Sequence, residues 1–222
     1  MKAMLMRYIL GFPKSIWLNF RKLPFRQAIR MPILVYRTKL KSISGSIEIK
    51  AAKLKTGLIK IGFGTTQVSD IQRERVILNI DGKMVFNGKC KFGTGSRIFV
   101  GKDATVSFGD NFNATSHLKL VCNRQMTFGN DDLLSWNCLL MDTDQHTVVD
   151  GNTGEKVNQD KPILIGNHVW MGCNTTVMKG AEVADNVIVG SNSVIAGKHL
   201  TAGVAIAGNP ARTVKENIVW KE

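Results

Sequence analysis

The chain has 222 residues, of which 44% are hydrophobic, so it is long enough to bury a core as one domain with a modest extension. Its formal net charge of +13 excludes an acidic protein, but no nucleic-acid-binding motif accompanies that charge, so nucleic acid is not an expected partner. No apolar run approaches the roughly twenty residues of a membrane-spanning helix, and no signal-peptide core is followed by a cleavage site.

The cysteines indicate the redox compartment. The four residues are Cys90, Cys122, Cys138 and Cys173, and their spacing matches neither a disulfide framework nor a zinc motif. We therefore expect free, mostly buried thiols in a reduced, cytoplasmic protein. A disulfide or metal role is the alternative reading.

The excess positive charge lies at the start of the chain. Up to residue 60 there are fourteen Lys and Arg residues against one acid, Glu48. Residues 1–41 interleave this charge with apolar side chains, and we assign them to a separate basic segment. Pro13, Pro24 and Pro32 predict that this segment forms two short, interrupted helical pieces.

Two roles are open for residues 1–41. The segment is either a helical cap over the open first coil of a β structure, or a patch that lies on the inner face of an anionic membrane. In the second reading Trp17, Phe20 and Phe25 enter the lipid interface while the basic residues contact the head groups.

From Ile43 onward, alternation of apolar and polar residues predicts β-strands. The first strands are indicated by Ile43, Ile47, Ile49, Leu54, Ile59 and Ile61. Between Val76 and Met141 blocks of six residues are present but irregular, and several begin with Phe rather than an aliphatic residue. We assign residues 42–222 to one all-β domain and expect its early part to be wider or less regular.

The pattern breaks between residues 142 and 161. This stretch is polar and rich in turn residues, and it follows the apolar strand that ends at Met141. An insertion of this kind projects from one edge of a repeat structure and usually carries function. We therefore predict a protruding functional loop at 142–161.

Residues 165–196 form the most regular stretch. Read in sixes, the blocks begin at Ile165, Met171, Val177, Val183 and Val189, and Ile195 opens another. Neither a helix nor a plain strand produces that spacing, whereas a solenoid of short parallel strands with a turn after each does. Asparagines at the turns tolerate left-handed backbone, and about eighteen residues complete one coil.

These residues resemble a known family. Ile165-Gly-Asn-His-Val-Trp-Met-Gly, Asp185-Asn186, Val189-Gly-Ser and Gly208-Asn-Pro-Ala-Arg212 are similar to the C-terminal signature of the hexapeptide-repeat acyltransferases, in the maltose, xenobiotic and capsule-polysaccharide O-acetyltransferase branch. The resemblance implies a left-handed parallel β-helix, acetyl-CoA as co-substrate, and a homotrimer with the cofactor between neighbouring helices. The handedness comes from the resemblance alone, because ordinary parallel crossovers are right-handed.

His146 is the expected catalytic residue. In the resembling family a His on the loop before the Ile-Gly-Asn-x-Val-Trp block is the general base, and His146 holds that place. A neutral imidazole can take the proton of a sugar hydroxyl as that hydroxyl attacks a thioester. Asp142 and Asp144 are candidates to orient the ring, or else they only form local turns.

The resemblance also implies the acetyl-CoA site. Trp170 and Cys173 flank the reactive end, and backbone groups near Gly172 stabilise the oxyanion. The remaining positions line the pantetheine arm or meet the phosphates: Ser191, Ala196, Gly197, Lys198, Arg212 and Lys215. Residue by residue, each of these also fits an ordinary repeat or surface position.

The other histidines carry weaker expectations. His168 occupies a turn and is expected to face solvent, His117 lies in the early coils, and His199 lies in a loop before the last strand. His117 and His146 are too far apart in sequence for the three-histidine zinc site of carbonic-anhydrase-like β-helices, so no metal is expected.

The reading that combines these features is an acetyl-CoA-dependent O-acetyltransferase of a sugar hydroxyl, acting in capsular or other surface-glycan synthesis. Two alternatives stay open. One is N-acetylation of an amino sugar or antibiotic on the same scaffold, and the other is a β-helix that has lost its chemistry and serves as a scaffold.

Overall fold

The computed structural model describes residues 2–221, with side chains from residue 6. Met1 and Glu222, the outer limits of the two predicted segments, lie outside the described residues. Two helices, α1 (Lys2–Lys22) and α2 (Phe25–Ala28), precede the strands. The strands are β1 (Ile33–Val35), β2 (Thr38–Ser42), β3 (Ser46–Ile49), β4 (Ile59–Gly64), β5 (Val76–Ile80), β6 (Lys83–Phe86), β7 (Cys90–Gly93), β8 (Arg97–Val100), β9 (Thr105–Phe108), β10 (Phe112–Ala114), β11 (Lys119–Cys122), β12 (Gln125–Thr127), β13 (Leu133–Leu134), β14 (Leu139–Met141), β15 (Ile163–Ile165), β16 (Trp170–Met171), β17 (Thr176–Val177), β18 (Glu182–Val183), β19 (Ile188–Val189), β20 (Val194–Ile195), β21 (Lys198–His199), β22 (Ala205–Gly208) and β23 (Ala211–Lys215).

The strands build three sheets that form the sides of a prism. Sheet 1 has the order β1-β4-β7-β10-β13-β16-β19-β22-β23, sheet 2 has β2-β5-β8-β11-β14-β17-β20, and sheet 3 has β3-β6-β9-β12-β15-β18-β21. Pairing along each sheet is parallel, and the final pair β22–β23 is antiparallel. The chain therefore winds through the three sheets once per coil, which confirms the β-helix predicted from the six-residue period.

Three lines of turns join the sheets. Corner 1–2 collects the turns that lead from sheet 1 to sheet 2, and corners 2–3 and 3–1 are defined in the same way. At these turns Asn174, Asn186 and Asn192 each have a φ of 59°, which the Asn side chain tolerates. The lead residues of the repeat, such as Met171 and Val177, are buried in the prism.

The early coils differ from the late ones in their strands and in their interior. Strands β4–β9 have four to six residues, whereas β16–β20 have two. Phenylalanines fill the interior here: the Phe86 and Phe108 rings stack at 5.5 Å, and the Phe108 and Phe128 rings stack at 5.2 Å. Aromatic side chains at the lead positions thus keep the early interior packed.

Helix α1 covers the open edge of sheet 1. The Asn19 amide donates to the Ile33 carbonyl at 2.7 Å and accepts the Ile33 N–H at 3.1 Å, and the Ser15 hydroxyl accepts the Val35 N–H at 2.9 Å. Asn19 and Ser15 are buried. Side chains of the helix therefore supply the hydrogen bonds that a preceding strand would have made to β1.

The prediction that Pro13 interrupts the N-terminal helix is wrong. Helix α1 continues through Pro13. The carbonyl that proline leaves without a helical partner belongs to Ile9, whose side chain is 59% exposed, so water can reach that side of the helix. None of the described helices is long and apolar enough to cross a membrane.

The β structure also begins earlier than Ile43, the first predicted strand residue. Strand β1 lies within residues 1–41, and position 41 falls inside β2. The buried run Ile33–Val35 is too short to show an alternating pattern, because all three side chains are buried. The division of the chain into two domains stays a prediction.

Candidate active site

The loop at 142–161 leaves the prism at corner 2–3, between β14 and β15. Its first residue, Asp142, is fully buried, and its carboxylate accepts the N–H groups of Asn123, Arg124 and Gln125 at 2.7, 2.8 and 2.8 Å. Three such bonds hold the start of the loop against the preceding turn of the same corner. Asp142 is therefore an anchor and does not orient His146.

Asp144 also has partners other than the imidazole. Its carboxylate forms an ion pair with Lys179 and accepts the Asn158 amide at 2.8 Å. The hydrogen bond from Lys179, followed by the one from Asn158, holds the pKa of Asp144 below its ordinary value. Asn158 in addition donates to the main-chain carbonyl of His146 at 2.7 Å, so this cluster fixes the backbone that carries the histidine.

The His146 side chain is exposed at the outer part of this loop. Its backbone N–H donates to the Asp144 carbonyl at 2.7 Å. Within residues 6–221 no side chain forms a hydrogen bond with its ring. Both ring nitrogens are thus free to meet a substrate, as a general base requires.

The residues expected at the reactive end of acetyl-CoA lie elsewhere, on sheet 1 and corner 1–2. The Trp170 indole is 37% exposed and donates to the Ser135 hydroxyl at 3.2 Å. The Cys173 thiol contacts the Ser191 hydroxyl at 3.3 Å across one coil. A Cβ atom at Gly172 would lie 2.6 Å from the Ser191 nitrogen, so glycine is needed for this close approach.

One predicted role near Gly172 changes. The Gly172 N–H donates to the Val189 carbonyl at 2.8 Å and belongs to the sheet ladder, so it is not available to an oxyanion. The neighbouring Cys173 N–H has no hydrogen-bond partner within the described part of the chain. It is the main-chain donor that remains at this turn.

The other predicted cofactor residues divide between two places. Ala196 and Gly197 lie at corner 2–3, on the same line of turns as the His146 loop, and Lys198 on β21 pairs with Glu182 at 2.8 Å. Arg212 and Lys215 are exposed on β23, at the free edge of sheet 1. Strand β23 therefore offers two exposed cations near the C-terminal end of the prism, and neither forms an ion pair within the described part of the chain.

His146 and Cys173 are separated within one chain. Sheet 2 runs between corner 1–2, which carries Cys173 and Ser191, and corner 2–3, which carries the His146 loop. One side of the prism takes about six residues, which corresponds to roughly 20 Å at about 3.3 Å per residue. Within one chain the two groups therefore belong to different corners of the prism.

The remaining histidines are occupied. His168 is half-buried rather than fully exposed to solvent, because its ring stacks on Trp220 with centroids 4.3 Å apart. His117 pairs with Glu74 at 2.9 Å, and His199 lies on β21 rather than in a loop. Among the described residues no group of three His, Cys, Asp or Glu side chains is arranged to hold a metal ion.

The cysteines are free thiols. Cys90, Cys122 and Cys138 are buried and Cys173 is partly exposed. Burial raises the pKa of Cys138 to about 12 and raises the pKa values of Cys90 and Cys122 further. Only Cys173 among them reaches the surface near the candidate site.

Sequence reasoning missed several residues near this site. Ser135 and Lys179 bind predicted residues, but a serine in a turn and a lysine on a surface give no signal in a sequence. Asp132 does give a signal in the sequence, because apolar residues occupy the equivalent positions of the neighbouring six-residue blocks. It is buried, its Oδ1 accepts the Val169 N–H at 2.9 Å, and its Oδ2 has no partner.

Comparisons with known proteins agree with the architecture. The family description "Bacterial transferase hexapeptide (six repeats)" matches residues 162–197. Two solved acetyltransferase structures have a similar fold. One is a polysialic-acid-specific acetyltransferase, with a TM-score of 0.56 and 21% identity, and the match covers 86% of this chain and 78% of that chain. The other is a polysialic acid O-acetyltransferase, with a TM-score of 0.51 and 20% identity, and the match covers 86% of this chain and 90% of that chain. The prism is thus a left-handed β-helix of the transferase type.

Curated relatives define the family. The chain is 31% identical over 182 residues to a polysialic acid O-acetyltransferase of Neisseria meningitidis, which covers 72% of this chain and 84% of that protein. It is 32% identical over 126 residues to the Escherichia coli O1:K1 enzyme of that name, but this match spans 38% of that enzyme's length and 57% of this chain. It is 26% identical over 154 residues to a putative lipopolysaccharide-biosynthesis O-acetyltransferase of E. coli K12, covering 64% and 78%.

The chain belongs to the hexapeptide-repeat acyltransferase family, in the branch that contains the polysaccharide O-acetyltransferases. It is an acetyltransferase, and an acyl-CoA supplies the acyl group.

The Asp132 carboxyl generates a prediction about stability. Burial raises its pKa to about 8, so the folded chain holds a proton that the unfolded chain loses near pH 4. Between these two pH values the folded state binds more protons, and stability therefore falls as the pH rises, by at most about 1.4 kcal/mol per pH unit.

Replacing this residue, as in Asp132→Val, should remove that slope. We expect the difference in unfolding free energy between variant and wild type to grow in favour of the variant from pH 4 to pH 8 and then to level off. Urea denaturation at several pH values measures it. A difference independent of pH would mean that Asp132 is ionised in the folded protein.

Proposed function

We propose that the protein is a cytoplasmic, acetyl-CoA-dependent O-acetyltransferase that modifies a sugar hydroxyl of a surface polysaccharide. The observation that carries the proposal is His146, exposed and without a ring partner on a loop whose backbone is held by Asp142 and by the Asp144–Lys179 pair. The named activities of the relatives from Neisseria and Escherichia support a glycan acceptor.

The proposed reaction is a direct transfer. A neutral His146 nitrogen takes the proton of the sugar hydroxyl as its oxygen attacks the acetyl carbonyl of the thioester. The tetrahedral oxyanion accepts a hydrogen bond from the Cys173 N–H. The carbon–sulfur bond then breaks, the thiolate of CoA leaves, and the imidazolium returns its proton to that thiolate, so that an acetyl ester and CoA are released.

Cys173 is not proposed as a covalent carrier of the acetyl group. Its thiol contacts the Ser191 hydroxyl, and no imidazole or other base in the described residues contacts the sulfur. The two residues are better suited to contact the pantetheine arm. We propose that Trp170 flanks the thioester, that Ala196, Gly197 and Lys198 line the arm, and that Arg212 and Lys215 meet the phosphates.

The general base is tested by His146→Ala. We expect the variant to bind acetyl-CoA like wild type and to transfer acetyl more slowly by about 10²-fold or more, because proton removal from the hydroxyl is lost. Release of CoA is measured with sialic acid oligomers, galactosides and amino sugars as acceptors.

Thr147→Ala is the matched control, since Thr147 is the exposed neighbour on the same loop. Equal losses in the two variants would indicate damage to the loop rather than removal of a base. Transfer to amines in preference to hydroxyls would replace O-acetylation with N-acetylation.

The separation of His146 and Cys173 by one side of the prism supports a homotrimer. In this arrangement the His146 loop of one subunit meets corner 1–2 of its neighbour, and the acyl-CoA lies in the groove between them. The site is then incomplete in a monomer.

Mixed trimers test the shared site. His146→Ala and Trp170→Ala are each expected to be inactive, but trimers that contain both variants should regain about one third of the wild-type activity, because one of their three interfaces pairs an intact His146 with an intact Trp170. Activity is measured on trimers that carry both purification tags. No recovery in the mixed trimers would mean that both residues act within one subunit.

We also propose that α1 contacts an anionic membrane in addition to capping sheet 1. Its outward face exposes a row of large apolar side chains, Met6, Ile9, Leu10, Phe12, Ile16, Trp17 and Phe20. Arg7, Lys14 and Arg21 follow one flank at intervals of seven residues. An apolar face with basic residues beside it is suited to the lipid interface.

Vesicle sedimentation tests this contact. Trp17→Glu and Phe20→Glu should reduce binding to vesicles that contain anionic lipid by about tenfold or more, without loss of stability, because both side chains are about half exposed. Leu200→Glu is the control, since Leu200 is 65% exposed on the opposite end of the prism. Equal sedimentation of all variants would leave α1 with its capping role alone.

A further inference from the structure

A cavity of about 300 Å³ lies at corner 3–1, on the other side of Trp170 from Cys173. Its lining residues are Asn111, Asp131, Asp132, Leu133, His168 and Trp220. Its size is at the lower end of the range for small-molecule sites. None of these residues belongs to the machinery proposed above for acyl transfer.

The register of sheet 1 shows what is unusual about this cavity. Asn113 pairs with Leu133, Leu133 with Trp170, and Trp170 with Ile188. The residues just before these therefore form one column, which reads Phe112, Asp132, Val169 and Val187 and is buried throughout. Three members are apolar, as the interior of a β-helix requires, and the fourth is a carboxyl.

A carboxyl in this column costs stability, so its presence needs an explanation. Folding does not provide one, because only Oδ1 has a partner, while Oδ2 is buried without one. Valine at this position would pack as Val169 and Val187 do. Asp132 is 1% exposed and is one of the residues that line the cavity, so a hydroxyl group of a ligand bound there would supply the partner that Oδ2 lacks.

Another part of the cavity lining is aromatic. The Trp220 indole stacks on His168 and donates its N–H to the His168 carbonyl at 2.9 Å, which fixes its orientation. The rim is polar, because the Asn111 amide donates to the Asp131 carboxylate at 2.9 Å. A lining that combines hydrogen-bonding groups with an aromatic ring suits a sugar ring, which has hydroxyls on its edge and an apolar face.

We propose that this cavity is a subsite that holds one sugar residue of the acceptor glycan, with the Asp132 carboxyl hydrogen bonded to a sugar hydroxyl. The inference rests on the proposed function, since it takes the acceptor to be a glycan. The Lys89 ammonium donates to the Asn111 side chain at 3.0 Å and offsets part of the negative charge that Asp131 brings to the cavity.

The position of the cavity agrees with this role. The Trp220 ring lies 6.2 Å from the ring of Trp170, the residue proposed to flank the thioester. A sugar held at Trp220 is therefore adjacent to the transfer centre. The neighbouring unit of the same glycan can reach the acetyl group while this one is held.

The test is a binding measurement made without acetyl-CoA. The Trp220 indole N–H resonance, assigned with Trp220→Phe, is followed while short oligomers of sialic acid, galactose or glucose are added. We expect saturable shifts with at least one oligomer. Asp132→Val should weaken that affinity by about tenfold or more, because a hydrogen bond to a buried group is lost.

Asp103→Val is the matched control, because it removes an exposed carboxylate at corner 2–3 and should bind the oligomer like wild type. Thermal unfolding checks that Asp132→Val is folded, and Asp132→Ala, which also removes both carboxyl oxygens, replaces it if it is not. The proposal is overturned if no oligomer shifts the Trp220 resonance, or if a folded Asp132→Val binds as tightly as wild type.

This outcome is separate from the fate of the proposed function. Shifts at Trp220 without acetyl transfer to any acceptor would retain the subsite and overturn the O-acetyltransferase assignment. Acetyl transfer that is equally efficient in wild type and Asp132→Val, with Trp220 unaffected by the product glycan, would retain the transferase and overturn the subsite.

Discussion

The structure depends on the stacking of equivalent side chains one coil apart. Because each strand pairs with the strand three positions later in the chain, every interior residue packs on its counterparts above and below. A narrow interior accepts only side chains that fit this stack, which explains the aliphatic lead residues of the late coils and the stacked phenylalanines of the early ones. The sheets are therefore constrained, and variation is left to the corners and ends. The residues proposed above for acyl transfer and membrane contact lie at those places: His146 at one corner, Cys173 at another, and the exposed face of α1 at one end.

The same constraint explains which parts of the fold and of the candidate site can be predicted from the sequence. A period of six over residues 165–196 is imposed by the stack itself, so the β-helix and the break at 142–161 follow from the sequence, and the position of His146 before the final repeat follows from family resemblance. Side-chain partnerships do not follow. Asp142 and Asp144 look like equivalent loop carboxylates beside a histidine, but one caps a turn in the previous coil and the other binds a lysine 35 residues away. Such contacts depend on which residues of neighbouring coils lie side by side. The long loop at 142–161 interrupts the six-residue period, so that alignment cannot be counted from the sequence.

Helix α1 shows where predictions from local sequence fail. Proline disfavours a helix interior, yet α1 passes through Pro13 because tertiary contacts outweigh that cost. Asn19 and Ser15 pair with the backbone of β1, whose edge would otherwise be buried with unpaired groups. A local pattern gives no sign of this, since Asn and Ser in a helix are ordinary surface residues in most proteins. The buried face carries Ser15 and Asn19 beside the core residue Leu18, whereas most of the large apolar side chains lie on the outward face, unlike those of a helix that only packs on a core.

Two buried carboxyls in this fold differ in how many of their hydrogen bonds the protein supplies. Asp142 accepts three main-chain N–H groups, so its burial is compensated, and its removal would leave those donors unpaired. Asp132 accepts one N–H group, keeps one oxygen without a partner, and occupies a position where the neighbouring coils have Phe112 and Val169. The protein therefore supplies hydrogen bonds to both oxygens of Asp142, whereas one oxygen of Asp132 has none. The apolar residues at the equivalent positions of the other coils show which side chains stability alone would favour there. Asp132 departs from that pattern, and this departure supports a ligand at corner 3–1.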